Sequence, residues 1–143
     1  MVTDIMNGIS KTLNQVFGDG YEIYKSKDVQ QGLSEPCFFI AHVGSSRKRR
    51  IGNRYQSFNS FDVQYFPKEK GGNAEMISVA EQLYTALEFV QLLNGDLIRG
   101  TSMRDESHDG VLHFFVDFNM FLNRETEFDP MEAVVSSVSI KKE

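Results

Sequence analysis

The sequence predicts an α+β fold, a single domain in which a mixed or mainly antiparallel β-sheet is packed by two α-helices. Three observations carry this expectation. Two segments, near the start of the chain and around residues 73–90, repeat apolar residues every three to four positions, the period of a helix face. Longer segments, above all 54–66 and 111–122, alternate apolar and polar residues with the two-residue period of a strand. Twelve Phe and five Tyr against only three Pro suit half-buried pleated surfaces.

Taken in chain order, the first helix carries Ile5, Ile9, Leu13, Val16 and Phe17 on one stripe, with Thr3 as its N-cap and Asp4 near the positive end of its dipole. Gly18 and Gly20 stop it. A short strand, Tyr21 to Tyr24, precedes a polar stretch from Lys25 to Glu35. Cys37 to Val43 is β-rich and apolar on both parities, as in a strand covered on both faces. Gly44 to Arg50 reads as a loop holding four successive cations. Arg54 to Phe66 is a long strand ended by Pro67.

The second helix is capped by Asn73, with Glu75 in its first turn. Its inward stripe is Met76, Val79, Ala80, Leu83, Leu87 and Val90, and Asn94-Gly95 ends it. A hairpin follows: one arm from Leu97 to Arg104, a turn from Asp105 to Gly110, and an arm from Val111 to Leu122. Leu112, Phe114, Val116, Phe118, Met120 and Leu122 form its core parity, and the opposite parity, with Phe115 and Phe121, is mixed. This places one domain over residues 1–128. Residues 129–143, with Val134, Val135, Val138 and Ile140 among serines, read as a flexible tail that orders on a neighbouring subunit.

With 143 residues the chain can bury one core. A net charge of −5 argues against a general nucleic-acid binder. The single cysteine, Cys37, cannot form an internal disulfide and reads as a small buried hydrophobe. The first residues lack the basic and apolar regions of a signal peptide. No apolar run approaches the ~18 residues of a membrane span.

Chemistry-bearing constellations are weak. His42, His108 and His113 lie in no nucleophile motif, and the odd spacing of Cys37 and His42 sends them to opposite faces of one strand. One Cys and three scattered His do not make a zinc set. Gly18-Asp19-Gly20 follows a helix and lacks phosphate-loop spacing. No catalytic, cofactor or metal residue is assigned, and no cofactor is expected. The candidate interaction residues are Arg47, Lys48, Arg49 and Arg50, the mixed-face Phe115 and Phe121, and the tail residues Val134, Val135 and Val138. The plain reading of the cations is a solvated loop. The functional readings are a contact with an acidic protein surface, with another subunit, or with DNA phosphates.

The ordered blocks Ile5-Met6-Asn7-Gly8-Ile9, Tyr21-Glu22-Ile23-Tyr24, Gln31-Gly32-Leu33, Glu35-Pro36-Cys37-Phe38-Phe39-Ile40 and Tyr65-Phe66-Pro67 carry a family resemblance. So do Asn94 to Gly100, Asp109 to Val116 and Asp129-Pro130-Met131-Glu132. Together they resemble the phage tail terminator proteins of phages and prophages of Gram-positive bacteria, over nearly the whole chain. The resemblance implies a virion structural protein, made in the host cytoplasm, that caps the tail tube, ends its polymerisation and takes part in head–tail joining. It implies α+β subunits that close into rings, commonly hexamers, beside tail-tube and head–tail connector proteins, with DNA contact at most indirect and no membrane. The motifs are structural, so no interface residue is carried over. The rivals are another neck or head-completion protein, a small-ligand protein or enzyme, and a nucleic-acid regulator working through the basic loop.

Overall fold

The structure, a computed structural model, describes residues 2–25, 35–69 and 72–123. The order of elements is α1 (Val2–Phe17), β1 (Glu22–Lys25), β2 (Cys37–Arg49), β3 (Arg54–Phe66), α2 (Asn73–Ala86), β4 (Phe89–Gln91), β5 (Leu97–His108) and β6 (Val111–Asn123). The strands form one six-stranded sheet in the order β1-β2-β3-β6-β5-β4. β1 runs parallel to β2, whereas β5 runs antiparallel to both β4 and β6. Asn59 reaches Phe118 while Asp62 reaches His113, which makes β3 and β6 antiparallel as well. The expected α+β fold with a mixed sheet and two helices is therefore present. No helix of the described residues is long and apolar enough to cross a membrane.

By contacts the chain falls into two compact units, Met1–Ser46 with Ser57–Met120, and Arg47–Gln56 with the chain from Phe121. The hydrophobic core lies in the first. Alternation does the sorting: Phe61, Val63 and Tyr65 of β3 and Leu112, Phe114, Val116 and Phe118 of β6 are buried. They join Ile5, Ile9 and Leu13 of α1 and Met76, Val79, Ala80 and Leu83 of α2 in one cluster. Each Val, Leu, Ile, Phe or Met side chain so removed from water contributes about 1.5–3 kcal/mol. Met120 packs at the edge of this cluster, and Leu122 is only half-buried.

Several boundaries differ from the sequence expectation, each for a tertiary reason. α1 begins at Val2, so Thr3 is a helical residue rather than its cap. Met6 and Gly8 join its buried face, while Val16 is 45% exposed. Gly8 can do so because it has no side chain: a Cβ there would stand 2.9 Å from Val90 Cγ1. Asn73 is likewise inside α2, whose N-cap position is Gly72 with no side-chain capping bond.

The apolar stripe of α2 outlasts the helix. Leu87 and Val90 are buried as expected, but the helix ends at Ala86 and Val90 belongs to β4, opposite Ile98 of β5. The Gly100 amide donates to the Glu88 carbonyl at 2.9 Å, so a sheet edge claims backbone that local propensity assigns to a helix.

The two hairpins are tighter than the sequence suggests. Gly44 to Arg50 is not a loop: β2 continues to Arg49 and the turn is confined to residues 50–53, with the Arg50 amide donating to the Arg54 carbonyl. Long charged side chains are tolerated in that strand because residues 45–50 are all exposed. Similarly, β5 runs to His108, with Glu106 opposite His113, and only Asp109-Gly110 remains as the turn. The expected tail at 129–143 lies outside the described residues.

Candidate interaction surfaces

The four cations begin in β2 and end in the turn after it. Arg47, Lys48 and Arg49 belong to the strand, Arg50 opens the turn, and Arg54 opens β3. All five are exposed. Local bonds hold some of them out in extended poses. Arg49 Nε donates to the Gly52 carbonyl at 3.2 Å, and the Arg50 guanidinium donates to Gln56 Oε1. Arg54 sits over the Phe121 ring at 4.3 Å, a cation–π pairing that leaves the residue 55% exposed. Ile51, at the apex, is 95% exposed.

Phe121 belongs to this second unit, whereas Phe115 belongs to the first. Phe115 is half-buried under its own neighbours. Arg104 lies 4.1 Å above its ring, and His113 stacks near it with ring centroids 6.3 Å apart. The tail candidates Val134, Val135 and Val138 lie outside the described residues.

A polar cluster that the sequence did not mark surrounds Phe115 on the non-core face. Asp62 Oδ2 is bonded to His113 Nδ1 at 2.9 Å and accepts from Gln64 Nε2 at 3.1 Å. Alongside, Glu106 accepts from Arg104 and meets His108 Nε2, at 2.5 and 2.6 Å. These partners hold the Glu106 carboxyl below the usual range, the His108 contact contributing most. Asp62 and His113 are 51 residues apart, so no spacing pattern could have joined them.

Two further pairs lock α2 to the sheet. The Tyr65 hydroxyl donates to Glu75, which also accepts from the Lys68 amide at 3.0 Å. Burial and the Glu75 carboxylate push the Tyr65 phenol up. Burial works against ionised Glu75, but the Tyr65 hydroxyl and the Lys68 and Glu69 amides outweigh it and hold that carboxyl below its ordinary value. Tyr84 donates to Asp105 at 2.6 Å, and chiefly for that reason its phenol is pushed up to about 12.

None of this resembles an assembled nucleophile. Cys37 is fully buried, and burial raises its thiol to about 11, which suppresses the reactive thiolate. The His42 ring packs 5.4 Å from Phe61 and bonds Ser45. Among the described residues no three His, Cys, Asp or Glu side chains gather as metal ligands would.

Among the concave features is an open groove of about 500 Å³, lined by Val16 of α1 and by Ser78, Glu81, Gln82, Thr85 and Ala86 of α2. The α2 residues recur at helical spacing on the stripe opposite the core. Small residues stand at 78, 85 and 86 of that lining.

The picture is of charged and partly apolar surfaces with no catalytic constellation among the described residues, which suits assembly. Comparison with known proteins agrees. The family model described as phage tail terminator protein matches residues 4–130, all but the first three and last thirteen residues. No curated protein matches the chain. That coverage spans every described element but the first residues of α1, and the chain belongs to the phage tail terminator family, a family of structural proteins of bacteriophage tails.

Proposed function

We propose that the protein caps the tail tube of a bacteriophage, ends its polymerisation and takes part in joining tail to head as a ring of identical subunits, hexameric by analogy with terminators in general. The observation that carries this reading is the family match over residues 4–130. The surfaces fit it. A ring needs a heterologous interface, in which two different patches of one subunit meet repeatedly, and the chain offers several unlike patches. On this reading the neighbours are the tail tube and head–tail connector proteins, DNA is touched at most indirectly, and the protein performs no catalysis. Residues 1–128 act as the ring-forming domain, and 129–143 order across a subunit boundary.

The test is a tube-growth assay. Tail-tube protein of the same phage is polymerised with and without this protein, and tube lengths are measured by electron microscopy. Short tubes bearing a terminal ring are expected. Unchanged lengths at a molar excess of the protein would overturn the capping role. Light scattering after size exclusion, over a range of concentration and salt, gives the subunit number directly.

A further inference from the structure

Charge is segregated along this chain in a way its modest net value hides. Residues 36–61 hold five of the fifteen Lys and Arg, namely Arg47, Lys48, Arg49, Arg50 and Arg54, and none of the twenty acids. Residues 73–98 hold Glu75, Glu81, Glu88 and Asp96 and not one cation. The first segment ends in a narrow hairpin whose apex, Ile51, is 95% exposed and carries all five cations around it. The second holds the α2 wall of the open groove, with exposed Glu81 in its lining and Val16 of α1, 45% exposed, as its apolar residue from the other helix.

An isoleucine left almost wholly in water at the tip of a cationic hairpin is apolar surface that burial against a partner would stabilise. The groove, with one carboxylate, Glu81, in its lining and half-exposed Val16 beside small Ala86, leaves apolar surface in water. The two features differ in shape and sign, so a contact between the apex of one copy and the groove of another is heterologous and repeats head to tail.

We propose that the apex of the β2–β3 hairpin docks into the α1–α2 groove of a second copy of this chain, Ile51 entering the depression at Ser78, Gln82 and Thr85 while the hairpin cations face Glu81. This rests on the ring reading and specifies its interface. Repulsion among the five cations disfavours hairpin against hairpin, which gives the contact one polarity. The arrangement supplies orientation and on-rate through charge, and affinity through the buried apolar tip.

Site-directed cross-linking tests it in the full-length protein. Ile51→Cys and Gln82→Cys are made separately, with buried Cys37 left in place, and are oxidised alone and as a mixture. The mixture is expected to give a disulfide heterodimer, and neither variant alone should. The yield should fall several-fold in about 1 M salt, where the screening length drops to roughly 3 Å. Glu81→Lys in the Gln82→Cys chain should lower it too, and Arg49→Glu in the Ile51→Cys chain should restore part of the loss. Rescue of that kind reports pairing across the contact, which a merely unfolded variant cannot show.

If light scattering finds a wild-type oligomer and the mixture gives no 51–82 disulfide, the docking is overturned and the ring stands. If the wild type stays monomeric and no disulfide forms, the docking and self-assembly of the free chain fall together. A 51–51 disulfide in the Ile51→Cys variant alone would replace the contact with a symmetric one. Retention of duplex DNA that Arg47→Glu and Arg49→Glu abolish, without a 51–82 disulfide, would reassign the cations to phosphate.

Discussion

Gly100 sits where three elements meet. A Cβ at that position would lie 2.3 Å from the Leu87 carbonyl oxygen and 3.0 Å from Val116 Cγ2, and the first of these is backbone that cannot turn aside. The end of α2 approaches β5 this closely because position 100 carries no side chain. Gly100→Ala should therefore destabilise the protein by about 1–3 kcal/mol or more through overpacking. Gly20→Ala, where nothing stands within 4 Å, should change stability by no more than about 0.5 kcal/mol. Urea unfolding of the two variants checks the contrast.

Protonation tests the two tyrosine contacts of α2. The Glu75 carboxyl is held below its ordinary 4.5, so its contribution is complete above that value and is lost as pH falls through the lower, folded one. Tyr84 titrates at about 12 in the folded chain against an ordinary 10.0, so its contribution is complete below 10 and is lost as pH rises toward 12. Thermal midpoints across pH should thus fall at both ends. Tyr65→Phe should flatten the acid limb, and Tyr84→Phe the alkaline one. An acid limb unchanged by Tyr65→Phe would mean that Glu75 is not stabilised by that hydroxyl.

At the scale of elements, the β5–β6 hairpin shows how a register is set. Thr101 faces Asp117, but Arg104 faces Phe115, so β5 carries one residue more than β6 between them. Ser102 absorbs the extra residue at φ 52°, a left-handed conformation uncommon for serine. Ser102→Gly should remove that strain and raise stability by several tenths to about 1 kcal/mol. At the other end Asp109 and Gly110 have φ 54° and 76°, the paired positive angles of a two-residue turn whose twist matches the strands. Gly110→Val should cost at least about 1 kcal/mol there, because a β-branched residue resists that backbone. Urea midpoints of both variants decide whether bulge and turn behave oppositely, as these angles require.

The same hairpin marks how far elements can be read locally. The core parity of β6 was legible because alternation of Leu112, Phe114, Val116 and Phe118 is a property of one strand. The extent of β5 was not, since Asp105, Glu106, Ser107 and His108 have turn-like composition and are held extended only by pairing with residues 111–114. β4 was invisible for a related reason. Its three residues continue the periodic stripe of α2, and nothing within 89–91 announces the edge of a sheet.

At the scale of the whole molecule, the expected behaviour is assembly. If residues after Asp129 order on a neighbouring subunit, a chain ending at Asp129 should form oligomers that dissociate at higher protein concentration than the full chain, with little change in the urea midpoint of the monomer. Light scattering on a dilution series, beside urea unfolding, separates the two effects. An unchanged oligomer would remove the tail from the interface and leave the β2–β3 hairpin and the α2 groove to account for it.

The sequence by itself determined the fold class, the two helices, the parity of β3 and β6, and the family. These follow from period, composition and ordered local blocks, which are properties of neighbouring residues. Tertiary structure alone decided where α2 yields to β4, that the basic run is a strand and not a loop, and that Asp62, His113 and Phe115 share a polar cluster. It also turned Ser78, Glu81, Gln82 and Thr85 from an ordinary solvated helix face into one wall of a groove, with Val16 beside it. Each of these depends on groups tens of residues apart meeting in space, where hydrogen bonding between strands and close packing at Gly8 and Gly100 outweigh the preferences of the local chain.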